Sequence, residues 1–397
     1  MLAMDLFNVV TLAATEGAGM KVWAYVAFIA LVCVFLALDL GVFHKDAHEV
    51  SIKEATIWSV IWVTCGLSFA FFVRAAYDNH WLGLGLDVPM YNPAAATDAL
   101  APLIIEGTVA GKDAAKQYLV GYVVEKSLAM DNIFVIAMLF GFFAIPGKYQ
   151  HRVLFWGILG ALIMRGGMIA VGAAVILKYQ WVLIIFGLFL LLTSLKMILI
   201  KTESDPANNV IVRLVKKFYP VVDFYDGQRF WTKRTVKPTY SRDAVTGKEV
   251  MDPPPPGTLS LKYSITPLFL ALIMVEVTDL VFAVDSIPAI FAITPDPFIV
   301  FTSNIFAILG LRSLYFCLAA LITKFRLLKP ALIIILTFVG VKLLLLSVPP
   351  YLNVIGMEPQ RAIKIDTTLS LVIVLSTLAL AIIGSVIFPS KAAPKTK

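Results

Sequence analysis

The chain has 397 residues, of which 59% are hydrophobic and 15% charged, and its mean hydropathy is +0.86. Soluble domains carry about a quarter charged residues, so this composition excludes an ordinary soluble protein. Its longest apolar runs exceed the ~20 residues that cross a bilayer, and they do not alternate in polarity, so they predict membrane-spanning helices. The net charge of +7 lies in the loops beside these runs, so we expect a lipid bilayer and no nucleic acid as partner.

An all-α, polytopic fold with about nine transmembrane helices is predicted. The predicted spans cover residues 22–43, 55–76, 118–144, 152–177, 181–200, 265–293, 297–322, 330–349 and 367–388. In terms of domains, we expect an external N-terminus (1–21), two leading helices (22–76), an external loop (77–117), a first three-helix repeat (118–200), a cytoplasmic loop with a possible hairpin (201–264), a second three-helix repeat (265–349), a last helix (366–389) and a cytoplasmic tail (390–397).

Loop charge predicts the orientation. Lysine and arginine follow the first, third, fifth and seventh spans and the last one, as Lys45, Lys148, Lys324 and Lys391 illustrate. Cationic loops stay in the cytoplasm, so the N-terminus is expected outside and the C-terminus inside. The first ten residues, MLAMDLFNVV, lack the positive charge of a cleaved signal peptide.

The two predicted repeats match at polar positions. When EKSLAMDNIFVIAM (125–138) is laid over DLVFAVDSIPAIFA (279–292), Glu125 falls on Asp279, Asp131 on Asp285, and Asn132 on Ser286. On the next two spans of each repeat, Arg165 matches Arg312 and Lys196 matches Lys342. The predicted sidedness makes the repeats inverted, an arrangement typical of secondary transporters with a site near mid-membrane.

Six acidic residues lie in the predicted spans: Asp39, Glu125, Asp131, Glu276, Asp279 and Asp285. A carboxylate at the centre of a membrane helix costs about 2.5–3.5 kcal/mol on insertion scales, so these residues should face the bundle interior or a wet cavity. Three roles compete: ion pairing for assembly alone, a proton relay, and a cation site. We favour the cation site.

The predicted donors are all oxygen atoms, which suit Mg²⁺, Ca²⁺ or Mn²⁺ rather than copper or zinc. The predicted metal ligands are Asp39, Glu125, Asp131, Asn132, Glu276, Asp279, Asp285 and Ser286, and the predicted internal charge partners are Arg165, Lys196, Arg312 and Lys342. Pro288 cannot donate to the carbonyl of Val284, so a kink is expected to turn Asp285 towards the site. An emptied site would favour protonation of a carboxylate, which links metal release to proton uptake.

The stretches EKSLAMDNIFV and EVTDLVFAVDSIPAIFAITPDPFIVFTSNIFAILGLRSLYF resemble signature segments of the TerC family of integral membrane proteins, in its Alx-like subgroup. The resemblance covers residues 20–350 and implies a bacterial inner-membrane protein of the LysE-like transporter superfamily, linked to manganese export and tellurite resistance. It carries the family's acidic motifs onto Glu125, Asp131, Asn132, Glu276, Asp279, Asp285 and Ser286. Asp39 follows through the similarity of FLALDLGVF to VFAVDSIPA, and the loop 77–117 has no counterpart in the motifs.

The leading hypothesis is therefore a secondary transporter that exports Mn²⁺, or else Ca²⁺ or Mg²⁺, with protons as a candidate coupling ion and no cofactor. The alternative is a membrane scaffold or stress protein for tellurite resistance or envelope homeostasis, without transport of its own. An intramembrane aspartyl protease would use paired aspartates as acid and base, but six acids and four internal cations exceed a dyad, so we expect no enzyme. The sequence does not define the oligomeric state.

Overall fold

The computed structural model describes residues 16–41, 51–98, 101–199, 210–242, 249–255, 257–319, 327–354 and 361–387. The helices are α1 (Glu16–Gly41), α2 (Ile52–Asp78), α3 (Gly111–Phe142), α4 (Gly147–Lys178), α5 (Val182–Leu199), α6 (Val210–Phe218), α7 (Pro267–Phe291), α8 (Pro297–Ile308), α9 (Leu311–Ala319), α10 (Leu328–Val354) and α11 (Thr367–Ile387). The strands are β1 (Val88–Tyr91), β2 (Ile104–Gly107), β3 (Trp231–Arg234), β4 (Tyr240–Arg242), β5 (Glu249–Met251) and β6 (Leu259–Ile265). The predicted all-α polytopic class is confirmed, because the strands are short and lie between the long helices.

Eight helical segments in the described part of the chain are long and apolar enough to cross a membrane, with α8 and the start of α9 counted as one segment. Helix α3 is not among the eight, since Glu125, Lys126 and Asp131 interrupt its apolar sequence. Its 32 residues nevertheless make a membrane-length helix. The count is therefore consistent with the predicted nine spans.

Several predicted boundaries differ from the structure. Helix α3 begins at Gly111 rather than 118, because the polar stretch 111–117 is helical as well. Helix α4 begins at Gly147 rather than 152, and α10 runs on to Val354 rather than ending at 349. The loop 77–117 contains the antiparallel pair β1–β2. The segment 201–264 contains α6 and the pair β3–β6, whose last residue is Ile265. The pair β4–β5 lies between β3 and β6 in the sequence. The tail 390–397 and the loop cations Lys45, Lys324 and Lys391 lie outside the described residues.

One end of the bundle is marked by β1 and β2, and we refer to it as the β1–β2 end. Strand β2 leads directly into α3 at Gly111, whose amide donates to Asp78 Oδ1 at the end of α2 (2.7 Å). Tyr91 of β1 donates its hydroxyl to the carbonyl of Phe291, the last residue of α7. Helix α7 therefore ends where α3 begins.

The opposite end, the β3–β6 end, shows the reverse relation. Tyr225 donates its hydroxyl to the carbonyl of Phe143, the residue that follows α3. The backbone of Val222, near Tyr225, bonds to Ile265 of β6, and β6 leads into α7 at Pro267. Since α3 ends where α7 begins, the first helices of the two repeats run antiparallel, and the predicted inversion is present in the fold.

The second helix of the second repeat is broken. Asp296 caps the start of α8 by accepting the amide of Phe298 (3.0 Å) and the hydroxyl of Tyr77 from α2 (2.7 Å). Burial raises the pKa of the Asp296 carboxyl, and these two hydrogen bonds oppose the rise. The helix then stops at Ile308 and resumes as α9, whereas the prediction had one span over 297–322. Gly310 makes the break with a left-handed φ of +76°.

The third helices of the repeats, α5 and α10, pack closely through glycine. A Cβ on Gly187 would lie 3.3 Å from the carbonyl oxygen of Gly340, and one on Gly340 would lie 3.2 Å from that of Gly187. Small residues at such a crossing let two backbones approach and gain dispersion contacts within a membrane. The leading helix α1 packs on α2 and α8 through aromatic rings, with Phe28 centred 5.6 Å from both Phe69 and Phe301.

The break at Gly310 yields a stability prediction. A Cβ there would lie 2.5 Å from Trp62, and the left-handed backbone itself strains any L side chain. We expect Gly310→Ala to lower the free energy of unfolding by about 1–3 kcal/mol. Thermal unfolding of the purified protein in detergent measures this. Gly141→Ala in α3, where a Cβ meets open space, is the control and should hold or raise the melting temperature. Equal melting temperatures for the two variants would contradict the prediction.

Candidate functional site

Arg165 of α4 lies at the centre of a buried polar cluster. The residue is 1% exposed, and its Nε and Nη2 donate to the two oxygens of Asp279 at 3.1 and 2.8 Å. Its Nη1 donates to Oε1 of Glu125. Glu125 and Asp279 are themselves 0% and 4% exposed. The guanidinium therefore joins α3, α4 and α7 by charge-assisted hydrogen bonds, a strong class of contact inside a low-dielectric bundle.

The two carboxylates occupy equivalent positions in the two repeats, so one arginine bridges the repeats. Asn132 Nδ2 donates to Asp279 Oδ1 at 2.9 Å, and Ser286 Oγ lies 3.4 Å from Arg165 Nη1. Asn132 follows Glu125 by seven residues and Ser286 follows Asp279 by seven, which places each pair on one helix face. The structure thus brings together four of the predicted ligands, two from each repeat.

Two oxygen atoms in this cluster can accept further hydrogen bonds. Glu125 Oε2 and Asn132 Oδ1 are buried without a hydrogen-bond partner among the described residues. A cavity of about 10 Å³ borders Asn132 and Asp279, which is close to the space that one water molecule needs. Asn304 of α8, fully buried, contributes its Oδ1 at 3.4 Å from Arg165 Nη1. Buried acceptors of this kind attract a cation or a proton donor.

The other predicted acids lie elsewhere or are not described. Asp285 is half-buried and accepts the Thr193 hydroxyl of α5 at 3.0 Å. On an ideal helix it points about 120° away from Asp279, and Pro288 sits too near the end of α7 to turn it to the Arg165 cluster. Glu276 is half-buried, and its carboxylate fills the space where a side chain on Gly160 would stand. The side chains of Asp39 and Asp131 lie outside the described residues.

The predicted internal cations have different surroundings. Arg165 pairs with predicted ligands, as described. Lys342 is buried and donates to Ser370 of α11 at 2.9 Å, whereas Lys196 is exposed on α5. Arg312 is buried in α9, just after the break at Gly310.

Sequence reasoning missed two polar residues. Lys126 is buried, and its Nζ donates at 3.0 Å to the carbonyl of Ala307 at the end of α8, where a helix dipole favours positive charge. A lysine directly after Glu125 in an apolar span was the available signal. Asn304 lies in a predicted span, and its place beside Arg165 depends on how α8 packs, which the sequence does not define.

No group of three or more His, Cys, Asp or Glu side chains within the described ranges is arranged as a metal site. In the structure Arg165 occupies the centre of the cluster, and amide and hydroxyl oxygens supplement the two carboxylates that bind it. The metal-ligand assignment therefore remains a prediction.

These features define a multi-pass membrane protein made of two inverted three-helix repeats around buried charges. Comparison with protein families matches residues 110–393 to the integral membrane protein TerC family. The chain belongs to this family, as the motifs of its two repeats had suggested.

Curated relatives align along most of the chain. An uncharacterised membrane protein of Myxococcus xanthus is 39% identical over 344 residues, which cover 86% of this chain and 87% of that protein. Proteins provisionally named membrane-bound redox modulator Alx are 40% identical over 323 residues in Photorhabdus laumondii and 39% over 322 in Escherichia coli K12. Both alignments cover 81% of this chain and 85% of the relative. No solved structure matches the chain.

The bridge makes Arg165 a stability determinant. Arg165→Met leaves Glu125 and Asp279 buried without their cation, so we expect the free energy of unfolding to fall by about 3–5 kcal/mol. Thermal unfolding in detergent measures the loss. Lys196→Met, which removes an exposed cation from the neighbouring helix, is the matched control and should change stability little.

A triple variant tests whether the two unpaired carboxylates cause this loss of stability. Adding Glu125→Gln and Asp279→Asn to Arg165→Met removes the stranded charges, so most of the lost stability should return. If the triple variant were less stable than Arg165→Met, the ion bridge would not be what holds the three helices together.

Proposed function

We propose that this protein is a secondary transporter that exports divalent cations from the cytoplasm, with Mn²⁺ as its main substrate and protons as the coupling ion. The observation that carries the proposal is the convergence of Glu125 and Asp279, equivalent acids of inverted repeats, on one buried cluster. Substrate sites of secondary transporters lie at such repeat interfaces, near mid-membrane.

The donor chemistry supports a hard cation. Carboxylate, amide and hydroxyl oxygens surround the cluster, and they suit Mn²⁺, Mg²⁺ and Ca²⁺. Glu125 Oε2 and Asn132 Oδ1 already lack hydrogen-bond partners in the described part of the chain. The choice of Mn²⁺ within this group comes from the motifs shared with the TerC family.

In this proposal Arg165 takes part in the exchange of the metal ion for a proton. Two carboxylates bonded to one guanidinium leave one negative charge uncompensated at this contact, and buried net charge is costly. A divalent ion that bound Glu125 and Asp279 would compete with Arg165 for the same oxygens. In the proposed cycle, Arg165 withdraws when the metal binds, and Arg165 together with a proton neutralises the carboxylates after the metal leaves.

The orientation of the protein in the membrane is proposed from its positive charge, whereas export as the direction of transport comes from the motifs shared with the TerC family. Positive charge is concentrated at the β3–β6 end, where Lys148 and Arg152 lie in the first turns of α4, so we assign this end to the cytoplasm and the β1–β2 end to the outside. A metal that enters from the β3–β6 end and leaves at the β1–β2 end is exported.

The Alx relatives carry a name that refers to redox modulation. In this chain the three cysteines, Cys33, Cys65 and Cys317, are free and lie on three different helices, α1, α2 and α9. Removal of a redox-active metal ion would affect cellular redox balance without any thiol chemistry in the carrier. The alternative, a scaffold without transport of its own, differs in that the purified protein would move no ion.

Transport by the purified protein tests the proposal. Proteoliposomes with an acidic interior and an enclosed Mn²⁺ indicator should take up Mn²⁺, with Ca²⁺ and Mg²⁺ added as competitors. Asp279→Asn should lower the initial rate at least about tenfold, because a carboxylate that binds the ion is lost. Asp113→Asn, which removes an exposed carboxylate near the start of α3, is the matched control and should transport as the wild type does.

Folding of each variant is checked by its melting temperature and by gel filtration. If Asp279→Asn does not fold, Glu125→Gln replaces it in the same assay. Absence of Mn²⁺ movement by folded wild-type protein would refute transport of Mn²⁺, and unchanged transport by a folded site variant would refute the site.

A further inference from the structure

Helix α6 has an apolar face that is only partly covered by protein. Val212 is buried against the start of α7, together with Leu268 and Ala271. Leu214 and Phe218, four residues apart and therefore on one face, are 52% and 70% exposed. At ~100° per residue, this face lies about 120–160° from Val212, so the contact with α7 cannot cover it.

Cations flank the uncovered face. Arg213 and Lys217 are four residues apart, both exposed, and lie beside this face, about 60–140° round the helix from Leu214 and Phe218. A short helix with bulky apolar residues on one side and cations on the other is the pattern of a helix that lies in the plane of a membrane interface.

The neighbouring β3–β6 pair continues this surface. Thr232 and Arg234 of β3 are buried, so the alternate residues Trp231 and Lys233 face outward. Lys233 Nζ lies 4.6 Å from the ring centre of Tyr263 on β6, a cation–π contact.

Aromatic residues join the strand pair to the helix. Tyr219, directly after α6, has its ring centre 6.2 Å from that of Trp231. Tyr219, Trp231 and Tyr263 are all exposed. Exposed tyrosine and tryptophan where membrane spans begin are typical of the layer at the lipid headgroups. We refer to the exposed residues of this surface as the α6 patch: Arg213, Leu214, Lys217, Phe218, Tyr219, Trp231, Lys233 and Tyr263.

We propose that the α6 patch binds the anionic phospholipid headgroups of the leaflet at the β3–β6 end, with Leu214 and Phe218 inserted among the upper acyl carbons. Charge complementarity selects the occupant, because Arg213, Lys217 and Lys233 present positive charge to a negative surface. Position selects it as well, since α6 packs against α7 near the start of this candidate membrane span. The segment thereby attaches the connection between the two repeats to the membrane surface.

Hydrogen exchange of the full-length protein in nanodiscs tests this binding. Amides of residues 210–219 should exchange more slowly in discs of phosphatidylcholine with phosphatidylglycerol than in phosphatidylcholine alone, and high salt should remove the difference. In the mixed lipid, Arg213→Gln with Lys217→Gln should speed exchange on the order of tenfold. The matched control, Lys116→Gln with Lys364→Gln at the β1–β2 end, should leave exchange in 210–219 unchanged.

A second double variant tests the contribution of the apolar residues of the α6 patch. Leu214→Ser with Phe218→Ser should speed exchange in both lipids and keep a difference between them. Equal rates of amide exchange in the two lipids for the wild type would overturn the proposal. The α6 patch would then be a candidate surface for a soluble partner. Retention of the full lipid effect by the Arg213 and Lys217 double variant would overturn it as well. Neither outcome depends on transport activity.

Discussion

The ion bridge from Arg165 to Glu125 and Asp279 is the constraint on which the remaining structure depends. A charge buried in a membrane protein is tolerated only when opposite charge and hydrogen bonds surround it. Three helices from two repeats must therefore meet at one point with their polar faces turned inward. The close glycine crossing of α5 with α10 completes the two repeats, and the leading helices pack around them, so that lipid does not reach the bridge.

The two repeats are not equivalent in the polar contacts around this bridge. The acids of the first helices meet at Arg165, but the matching arginine, Arg312, lies beyond a helix break rather than within a continuous helix. The buried lysine Lys126 contacts the last turn of α8, and its counterpart position in the second repeat holds Leu280, which is exposed. Inverted sequences have thus produced two unlike polar environments, one on each side of the repeat interface.

Much of this arrangement could be predicted because charge is rare in a membrane sequence. The alignment of the two repeats predicted the equivalence of Glu125 and Asp279, the charge of the loops predicted the inversion, and Arg165 was a predicted partner. The position of Asp285 was not predictable in the same way. Its contact with Thr193 depends on helix phase, and a proline near a helix end does not change that phase for residues before it. The break before Arg312 depended on a single glycine, which helices in membranes also tolerate.

The break at Gly310 has a mechanical consequence. A continuous helix such as α4 acts as a stiff rod, whereas α8 and α9 are two short helices joined at Gly310. A displacement applied at one end of α4 is carried along its whole length, but along α8 it is absorbed at the joint. The two repeats therefore differ in the stiffness of their second helix. The twofold relation seen in the sequence does not extend to this mechanical property.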